Sequence, residues 1–204
     1  MTVNAHRFIT AMTTIAKKNA GFTMIEVLVS LLIIVLGLLG LAGMQVRMQQ
    51  AEFESYQRTQ ALVLLYDMVD RINTHRAAAS CFAFTTGTGT PYLGVDANAT
   101  PSCGAAVGAT DAVASMNEWS NLLQGAAETK GGVGAGAMVG ARGCVSFNAG
   151  VYTVTVAWQG TVDTSAPKMD DGTTTINCAN GLYDSGTDTR RRAVATTFRM
   201  AVLD

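Results

Sequence analysis

The sequence of 204 residues is poor in charged residues, histidine and proline. Charged residues make up only 14%, and the net charge of −1 excludes a general electrostatic attraction to nucleic acid or acidic lipid. The two histidines, His6 and His75, stand outside any cluster of histidine, cysteine and carboxylate residues with metal-ligand spacing. The motifs GxSxG, HExxH and GxGxxG are missing as well. The sequence therefore predicts no cofactor, no metal site and no enzymatic activity.

The scarcity of charge is most pronounced in one long apolar segment near the N-terminus. Val27–Met44 holds 18 residues without a charge, close to the roughly 20 that a membrane-spanning helix needs. Arg7, Lys17 and Lys18 precede this segment and Arg47 follows it, so the positive-inside rule places the N-terminus in the cytoplasm. A secretory signal peptide is the alternative, but the apolar run is long for one and ends without a strong small-residue cleavage site.

Proline is missing between residues 22 and 79, which predicts one continuous helix. Its first half would lie in lipid and its second, amphipathic half would pack on a domain. Acid-to-base pairs at the helical spacing of four, Glu54 with Arg58 and Asp67 with Arg71, support the second half. The predicted inner stripe consists of Leu62, Leu65, Val69 and Ile72.

Three glycines, Gly37, Gly40 and Gly43, recur at a spacing of three within the apolar half of this helix. Small residues allow close packing of helices in a membrane. Glycine also weakens a helix, so the same residues are candidates for a point where the helix bends or unwinds. The sequence leaves both interpretations open.

Four cysteines follow the apolar segment, on the exported side. An even number outside the cytoplasm predicts two disulfides, and the absence of CxxC argues against a zinc ribbon or a redox motif. We favour the sequential pairing, Cys81 with Cys103 and Cys144 with Cys178, each bond contributing about 3 kcal/mol by restricting the unfolded chain. The alternative is four buried free thiols.

The middle of the chain predicts a loop followed by a short helix. Residues 80–109 are rich in glycine, threonine, alanine and proline, which predicts a loop with room for one short strand. Residues 110–128 predict a helix capped by Thr110 or Asp111. Trp119 is a candidate core anchor, with a binding platform as the alternative. The predicted inner face consists of Ala112, Met116, Trp119 and Leu123.

The last third of the chain predicts antiparallel strands. The glycine-rich stretch 130–143 predicts a flexible connector. From Cys144 apolar residues recur with a period of two, most clearly in VYTVTVAW. TTTINCAN predicts a further strand, and RRRAVATTFRMAVLD closes the chain with another. The fold class that follows is α+β, a long N-terminal helix packed on a small antiparallel sheet. In the last strand, one face is shared by Val194, Thr196, Phe198, Met200 and Val202.

Charged residues of the C-terminal loops have two interpretations each. Arg190, Arg191 and Arg192 form either a solvated strand start, which we favour, or a contact to DNA phosphates. The loop acids form either solvated turns, which we favour, or a calcium site without the EF-hand spacing. These acids are Asp163, Asp170, Asp171, Asp184 and Asp188.

The start of the apolar segment carries the most specific motif of the chain. GFTMIEVLVSLL begins at Gly21 and combines a short basic leader, a glycine, an aromatic residue, an acid five residues in and an apolar helix. This pattern resembles the class III signal sequence of type IV pilins and pseudopilins. The resemblance implies that a prepilin peptidase cuts between Gly21 and Phe22 and methylates the new Phe22 amine.

Glu26 is the acid of this motif, and a lone ionisable group in a membrane span is a functional candidate by default. The alternative is a carboxyl group that merely sits at the interface, protonated or wetted by headgroups. The implied cleavage makes Glu26 the fifth residue of the mature chain. The Phe22 amine of one subunit can then neutralise Glu26 of another in lipid, where an unpaired charge is costly. We therefore expect Glu26 to act in assembly.

A second resemblance extends beyond the signal. GLLGLAGMQ and SYQRTQALVLLYDMVDRIN are similar to minor pilins of the PilV group, although Leu65 stands where a small residue is commoner. The resemblance implies the type IV pilin fold and a role in priming pilus assembly, with adhesion, twitching motility and DNA uptake depending on it indirectly. The implied partners are the prepilin peptidase, other minor pilins, the major pilin, the pilus assembly platform and the inner membrane, with no direct contact to nucleic acid.

The expected organisation is a cleaved leader at residues 1–21, a transmembrane half-helix at 22–44, an amphipathic half-helix at 45–79 and a periplasmic domain at 80–204. Within that domain, residues 80–135 would form the loop and short helix, and 136–204 the sheet. Two other functions remain open. A type II secretion pseudopilin shares the signal motif, and a membrane-anchored hydrolase or DNA receptor would share the anchor alone.

Overall fold

The computed structural model describes residues 21–127, 129–131, 133–134, 138–184, 186 and 188–201. The expected leader up to residue 20, with its basic residues and His6, lies outside the described residues, as does Val202. Contacts divide the chain into two compact units, and the boundary along the chain falls between Val46 and Arg47. In chain order the elements are α1 (Met24–Thr74), a 3-10 helix (Arg76–Phe82), β1 (Leu93–Gly94), α2 (Ala109–Leu123), β2 (Thr129–Lys130), β3 (Val133–Gly134), β4 (Arg142–Asn148), β5 (Val151–Gln159) and β6 (Arg191–Phe198).

The second unit is an α+β fold, which confirms the predicted class. The second half of α1 packs on a four-stranded antiparallel sheet with the strand order β1-β4-β5-β6. Val154 of β5 stands opposite Val145 of β4, and Val156 stands opposite Val194 of β6. The face of β5 that carries Val154 and Val156 belongs to the same hydrophobic core as α1 and α2. A separate two-stranded sheet joins β2 and β3.

The buried side of α1 differs in part from the predicted stripe. Leu65 and Ile72 are buried as predicted, whereas Leu62 is exposed and Val69 is only half-buried. The buried positions step by three and four residues in a way that follows the helical repeat more closely than the predicted stripe does. They are Gln57, Ala61, Leu65, Met68 and Ile72.

The helix also ends earlier than predicted, at Thr74 rather than near residue 79. His75 leaves helical geometry with φ −98° and ψ 47°, and the chain tightens into the 3-10 helix. This turn buries Phe82 in the core and brings Cys81 into a disulfide with Cys103. Tertiary contacts thus override a local preference for helix.

The inner face of α2 is the predicted one, and its four residues are fully buried. Trp119 is a core anchor, as favoured, and its indole N–H donates to the Leu64 carbonyl at 2.8 Å. Gly143 of β4 faces this ring so closely that a Cβ there would lie 2.0 Å from it, so only glycine fits. The predicted side-chain cap by Thr110 or Asp111 is wrong, since Gly108 occupies the N-cap in a left-handed conformation.

The other face of β5 is covered as well, although the sequence predicted a half-buried strand. Thr155 and Ala157 are buried there, and Ala157 packs with Ile176 and Cys178. TTTINCAN forms only an isolated bridge between Lys168 and Thr175 rather than the predicted strand. The segment is held instead by a disulfide between Cys144 and Cys178. Both disulfides follow the sequential pairing that the sequence favoured.

Candidate functional site in the N-terminal segment

The helix begins two residues after the predicted cleavage position. Gly21 to Thr23 are not helical and Met24 opens α1. The Thr23 hydroxyl oxygen accepts a hydrogen bond from the Glu26 backbone N–H at 3.3 Å, and the Thr23 carbonyl accepts from Glu26 at 3.1 Å and from Val27 at 3.3 Å. Threonine followed three residues later by glutamate is the spacing of a capping box. Thr23 was not among the predicted site residues, although the T-x-x-E spacing is present in the sequence.

Glu26 lies in the first turn of α1, where the partial positive charge of the helix N-terminus stabilises a carboxylate. Its side chain is exposed, and among the described residues it has no hydrogen-bond or ion-pair partner. The backbone of Glu26 is therefore satisfied within the chain, while its carboxylate remains available to a group from outside.

The side chains after Gly21 form a long exposed apolar surface. Phe22 is 83% exposed and Met24 is 92% exposed, and large apolar side chains stay exposed through Val46 and Met48. By length and composition the helix is able to cross a membrane, a test that a signal sequence also passes. An exposed apolar surface of this extent needs lipid or another protein to cover it. It fits membrane anchoring.

The three glycines of this half-helix are not required by contacts within the chain. A Cβ added at Gly37, Gly40 or Gly43 would meet open space. The helix is continuous through all three, although each glycine costs about 1 kcal/mol relative to alanine. The three glycines therefore serve either packing against another molecule or flexibility of the helix, the two interpretations that the sequence leaves open.

The second half of α1 has a second apolar side that the sequence analysis missed. Val63 is 64% exposed and Tyr66 is 58% exposed, and they lie opposite the buried stripe. The spacing of seven and three residues is a signal of one helical face. We call this surface the outer stripe, and it consists of Tyr56, Val63 and Tyr66.

The charged residues of α1 make contacts across the fold. The predicted pair of Asp67 and Arg71 is present at 2.7 Å, and Arg71 also binds Glu118 of α2 at 2.8 Å. The predicted pair of Glu54 with Arg58 is wrong. Glu54 instead accepts hydrogen bonds from the Thr161 backbone and hydroxyl at 3.0 and 2.8 Å. Burial alone would raise the pKa of Glu54, but these hydrogen bonds and the charge of Arg192 lower it.

The three consecutive arginines are engaged within the chain, so the favoured solvated strand start is wrong for two of them. Arg191 is fully buried, binds Asp188 and donates to the carbonyl of Cys178 at 3.1 Å. Arg192 is mostly buried and lies 3.4 Å from Glu54. Only Arg190 is well exposed. Arg191 and Arg192 are therefore not free to contact DNA phosphates.

Two of the loop acids, Asp171 and Asp184, hold backbone turns through their carboxylates. Asp184 accepts hydrogen bonds from the backbone N–H groups of Arg190 and Asp188, which hold its pKa at about 2. Asp171 accepts from Thr173 and Thr174 in the same way. The favoured interpretation as solvated turns is wrong for Asp188, which is buried. In the part of the chain that the structure describes, no group of three or more histidine, cysteine or acidic residues is arranged to hold a metal.

Comparison with known families gives one match. Residues 16–42 match the prokaryotic N-terminal methylation motif. Nothing matches among curated proteins or among solved structures. The match, together with the exposed apolar helix and the α+β domain, supports a type IV pilin-like or pseudopilin protein. Proteins with this motif are structural rather than enzymatic, and the motif implies processing by a prepilin peptidase and assembly into a pilus or pseudopilus.

Proposed function

We propose that this chain is a minor pilin of a type IV pilus, of the PilV type, that primes pilus assembly with other minor pilins. A prepilin peptidase removes residues 1–21 and methylates the Phe22 amine. Residues 22–44 then hold the chain in the inner membrane, with the folded domain in the periplasm, until an assembly platform moves it into the filament. Adhesion, twitching motility and DNA uptake depend on it through the pilus.

The observation that carries this proposal is that α1 exposes apolar residues along both of its halves. The first half is exposed on all sides, and the second half carries the outer stripe opposite its buried face. A helix that is apolar all round is stable only when something covers it. Lipid can cover the first half before assembly. Helices of neighbouring subunits would cover both halves in a filament.

Glu26 gives the proposed assembly its register. Cleavage creates a cationic amine on Phe22, and in lipid an unpaired charge costs several kcal/mol. The Glu26 carboxylate, which has no partner among the described residues, is the group that this amine would pair with in a neighbouring subunit. Attraction between the two would favour a single axial position for each inserted subunit.

Deletion of the gene tests the proposal and separates it from the secretion alternative. A minor pilin predicts fewer pili, or none, with secretion intact and the protein present in sheared filaments of the complemented strain. A type II pseudopilin predicts the reverse, blocked export of folded enzymes and unchanged pili. Unchanged pili would contradict the proposal whatever the effect on secretion.

A matched pair of variants tests the outer stripe within the same assay. Val63 and Val107 are both exposed valines, one on the outer stripe and one in a loop. We expect Val63→Ser to reduce incorporation into pili severalfold, because it removes apolar surface from a helix contact. Val107→Ser should incorporate normally. Equal incorporation of the two variants would contradict a role for the outer stripe.

A further inference from the structure

Strand β6 forms an open edge of the four-stranded sheet, since among the described residues it pairs only with β5. The Gln159 N–H, opposite Arg191, turns away from β6 and donates to the Val139 carbonyl at 2.8 Å. The next residue, Gly160, donates to the Arg190 carbonyl, also at 2.8 Å. In an antiparallel ladder, pairs of residues that hydrogen-bond each other alternate with pairs whose backbone groups point away from each other. Gly160 and Arg190 form a pair of the first kind, and Gln159 and Arg191 form a pair of the second kind. The outward backbone groups of β6 therefore belong to Ala193, Ala195 and Thr197.

These outward groups have no partner in the described part of the chain. Neither a backbone group nor a side chain there hydrogen-bonds the N–H or carbonyl of Ala193, Ala195 or Thr197. An edge of this kind is a template for pairing with another strand. Natural proteins often block such edges with proline or with inward-pointing charges, and the central residues of β6, from Ala193 to Thr197, include neither.

Two clefts follow this edge and give it the form of a groove. A cleft of about 480 Å³ is lined by Arg192–Val194 of β6, by Glu54 and Arg58 of α1, and by Thr164, Ser165 and Pro167 of the β5–β6 loop. A second cleft of about 330 Å³ borders Ala195–Thr197, with residues 169–171 and 174 of the same loop beside it. Trp158, which also lines the first cleft, has a buried indole N–H without an acceptor among the described residues.

The two ends of the groove carry opposite unpaired charges. Arg58 lines the first cleft, is exposed and contacts no carboxylate in the part of the chain that the structure describes. Asp170 lines the second cleft, is exposed and is without a cationic partner among the described residues. At about 3.4 Å per residue, the stretch of β6 between the two ends corresponds to a strand of some five to seven residues.

We propose that the edge of β6 is a docking site for an extended strand of a partner protein, which adds antiparallel to β6 as a fifth strand of the sheet. The partner strand carries a basic side chain toward Asp170 and an acidic side chain toward Arg58. Main-chain hydrogen bonds supply the affinity in strand addition and side chains supply the specificity. This site is independent of the proposed function, since it rests on the sheet and not on the N-terminal motif.

A synthetic peptide tests the site directly. The probe is the capped peptide Lys-Thr-Val-Thr-Val-Glu, whose terminal lysine and glutamate lie on opposite faces of the added strand. In an antiparallel alignment the lysine meets Asp170 of the β5–β6 loop and the glutamate meets Arg58 of α1. The peptide is added at millimolar concentration to the full chain in non-ionic detergent, and backbone hydrogen exchange is followed. We expect slower exchange, by about tenfold or more, at Ala193, Ala195 and Thr197. Unchanged exchange at these residues would overturn the proposal.

Charge reversal at Arg58 provides the specificity test. Arg58→Glu should weaken binding of the probe severalfold. A second peptide, with alanine in place of the lysine and lysine in place of the glutamate, places its lysine opposite position 58. This second peptide should restore binding to the Arg58→Glu variant. Arg47→Glu is the matched control, because Arg47 is an exposed arginine of the same helix outside the groove. Equal binding by the Arg58→Glu and Arg47→Glu variants would show that the strand does not dock in this groove.

Discussion

The Thr23 hydroxyl caps the first turn of α1 by accepting the backbone N–H of Glu26 at 3.3 Å. The contact satisfies one of the N–H groups that every helix start leaves without a partner. It also gives Thr23 and Glu26 separable roles. Thr23 organises the backbone of the helix start, whereas the Glu26 carboxylate points to no partner in the described chain. Substitutions can therefore separate helix capping from charge pairing.

Removal of the Glu26 charge should impair assembly and leave processing intact. Glu26→Gln retains the size and polarity of the side chain, Glu26→Leu retains its bulk without polarity, and Glu26→Ala truncates it. We expect all three to be cleaved normally and to enter sheared pili at least tenfold less than wild type, because the Phe22 amine of a neighbouring subunit loses its partner in lipid. The measurement is the ratio of filament protein to membrane protein.

Thr23→Ala is the control for this prediction. It removes the cap, worth about 1 kcal/mol of helix stability, and keeps the charge of Glu26. We expect its incorporation to stay near that of wild type. If Thr23→Ala lost as much incorporation as Glu26→Gln, capping of the helix and not charge pairing would be the function of this segment.

Two adjacent arginines should differ strongly in their effect on stability. Arg191 is fully buried against Asp188, so Arg191→Met leaves a buried carboxylate without its cation and should cost about 3–5 kcal/mol. Arg190 pairs with Asp163 at the surface at 3.0 Å, so Arg190→Met should cost less than about 1 kcal/mol. Urea unfolding in non-ionic detergent measures both. Similar losses in the two variants would contradict the buried ion pair as the anchor of the β5–β6 loop.

Acid should weaken the same loop through Asp184. Hydrogen bonds from the Arg190 and Asp188 backbones lower its pKa from 3.8 to about 2. A carboxyl whose pKa is lower in the folded state stabilises the fold above pH 3.8, and this contribution is lost as the pH falls toward 2. Asp184→Asn should therefore reduce the urea midpoint at pH 7 and show a flatter decline between pH 4 and pH 2.

Asp170→Asn is the matched variant, since Asp170 is exposed and has no partner among the described residues. Its urea midpoint should follow that of wild type at every pH. If the urea midpoint of Asp184→Asn declined with falling pH as steeply as that of wild type, Asp184 would contribute negligibly to the acid dependence.

Features with strong local signals were predictable from the sequence. The apolar run of α1, the alternation in β5 and the inner face of α2 each follow from a regular spacing of apolar residues. The signal motif at Gly21 to Glu26 is likewise a local pattern, and residues 16–42 match the methylation motif. Local periodicity determines which side of an element is apolar, and that was enough for the fold class.

Features that depend on distant partners were not predictable. Glu54 is spaced to pair with Arg58, but Thr161 offers a backbone N–H and a hydroxyl at a site that only the folded β5–β6 loop creates. The sequence predicts a solvated Arg191, because charged side chains usually lie in solvent. In the fold, Asp188 and two backbone carbonyls accept hydrogen bonds from its buried guanidinium. TTTINCAN has the residues of a strand, but the Cys144–Cys178 disulfide and the loop contacts hold it in another conformation.

The intact mass of the protein recovered from sheared pili tests the central claim most directly. We predict a chain that begins at Phe22, carries one added methyl group on its N-terminus and lacks the four thiol hydrogens of two disulfides. The corresponding precursor, with residues 1–21 and no methyl group, should accumulate when the peptidase is absent. The account would be contradicted if the protein were found outside the pili with residues 1–21 still attached, in cells with an active peptidase.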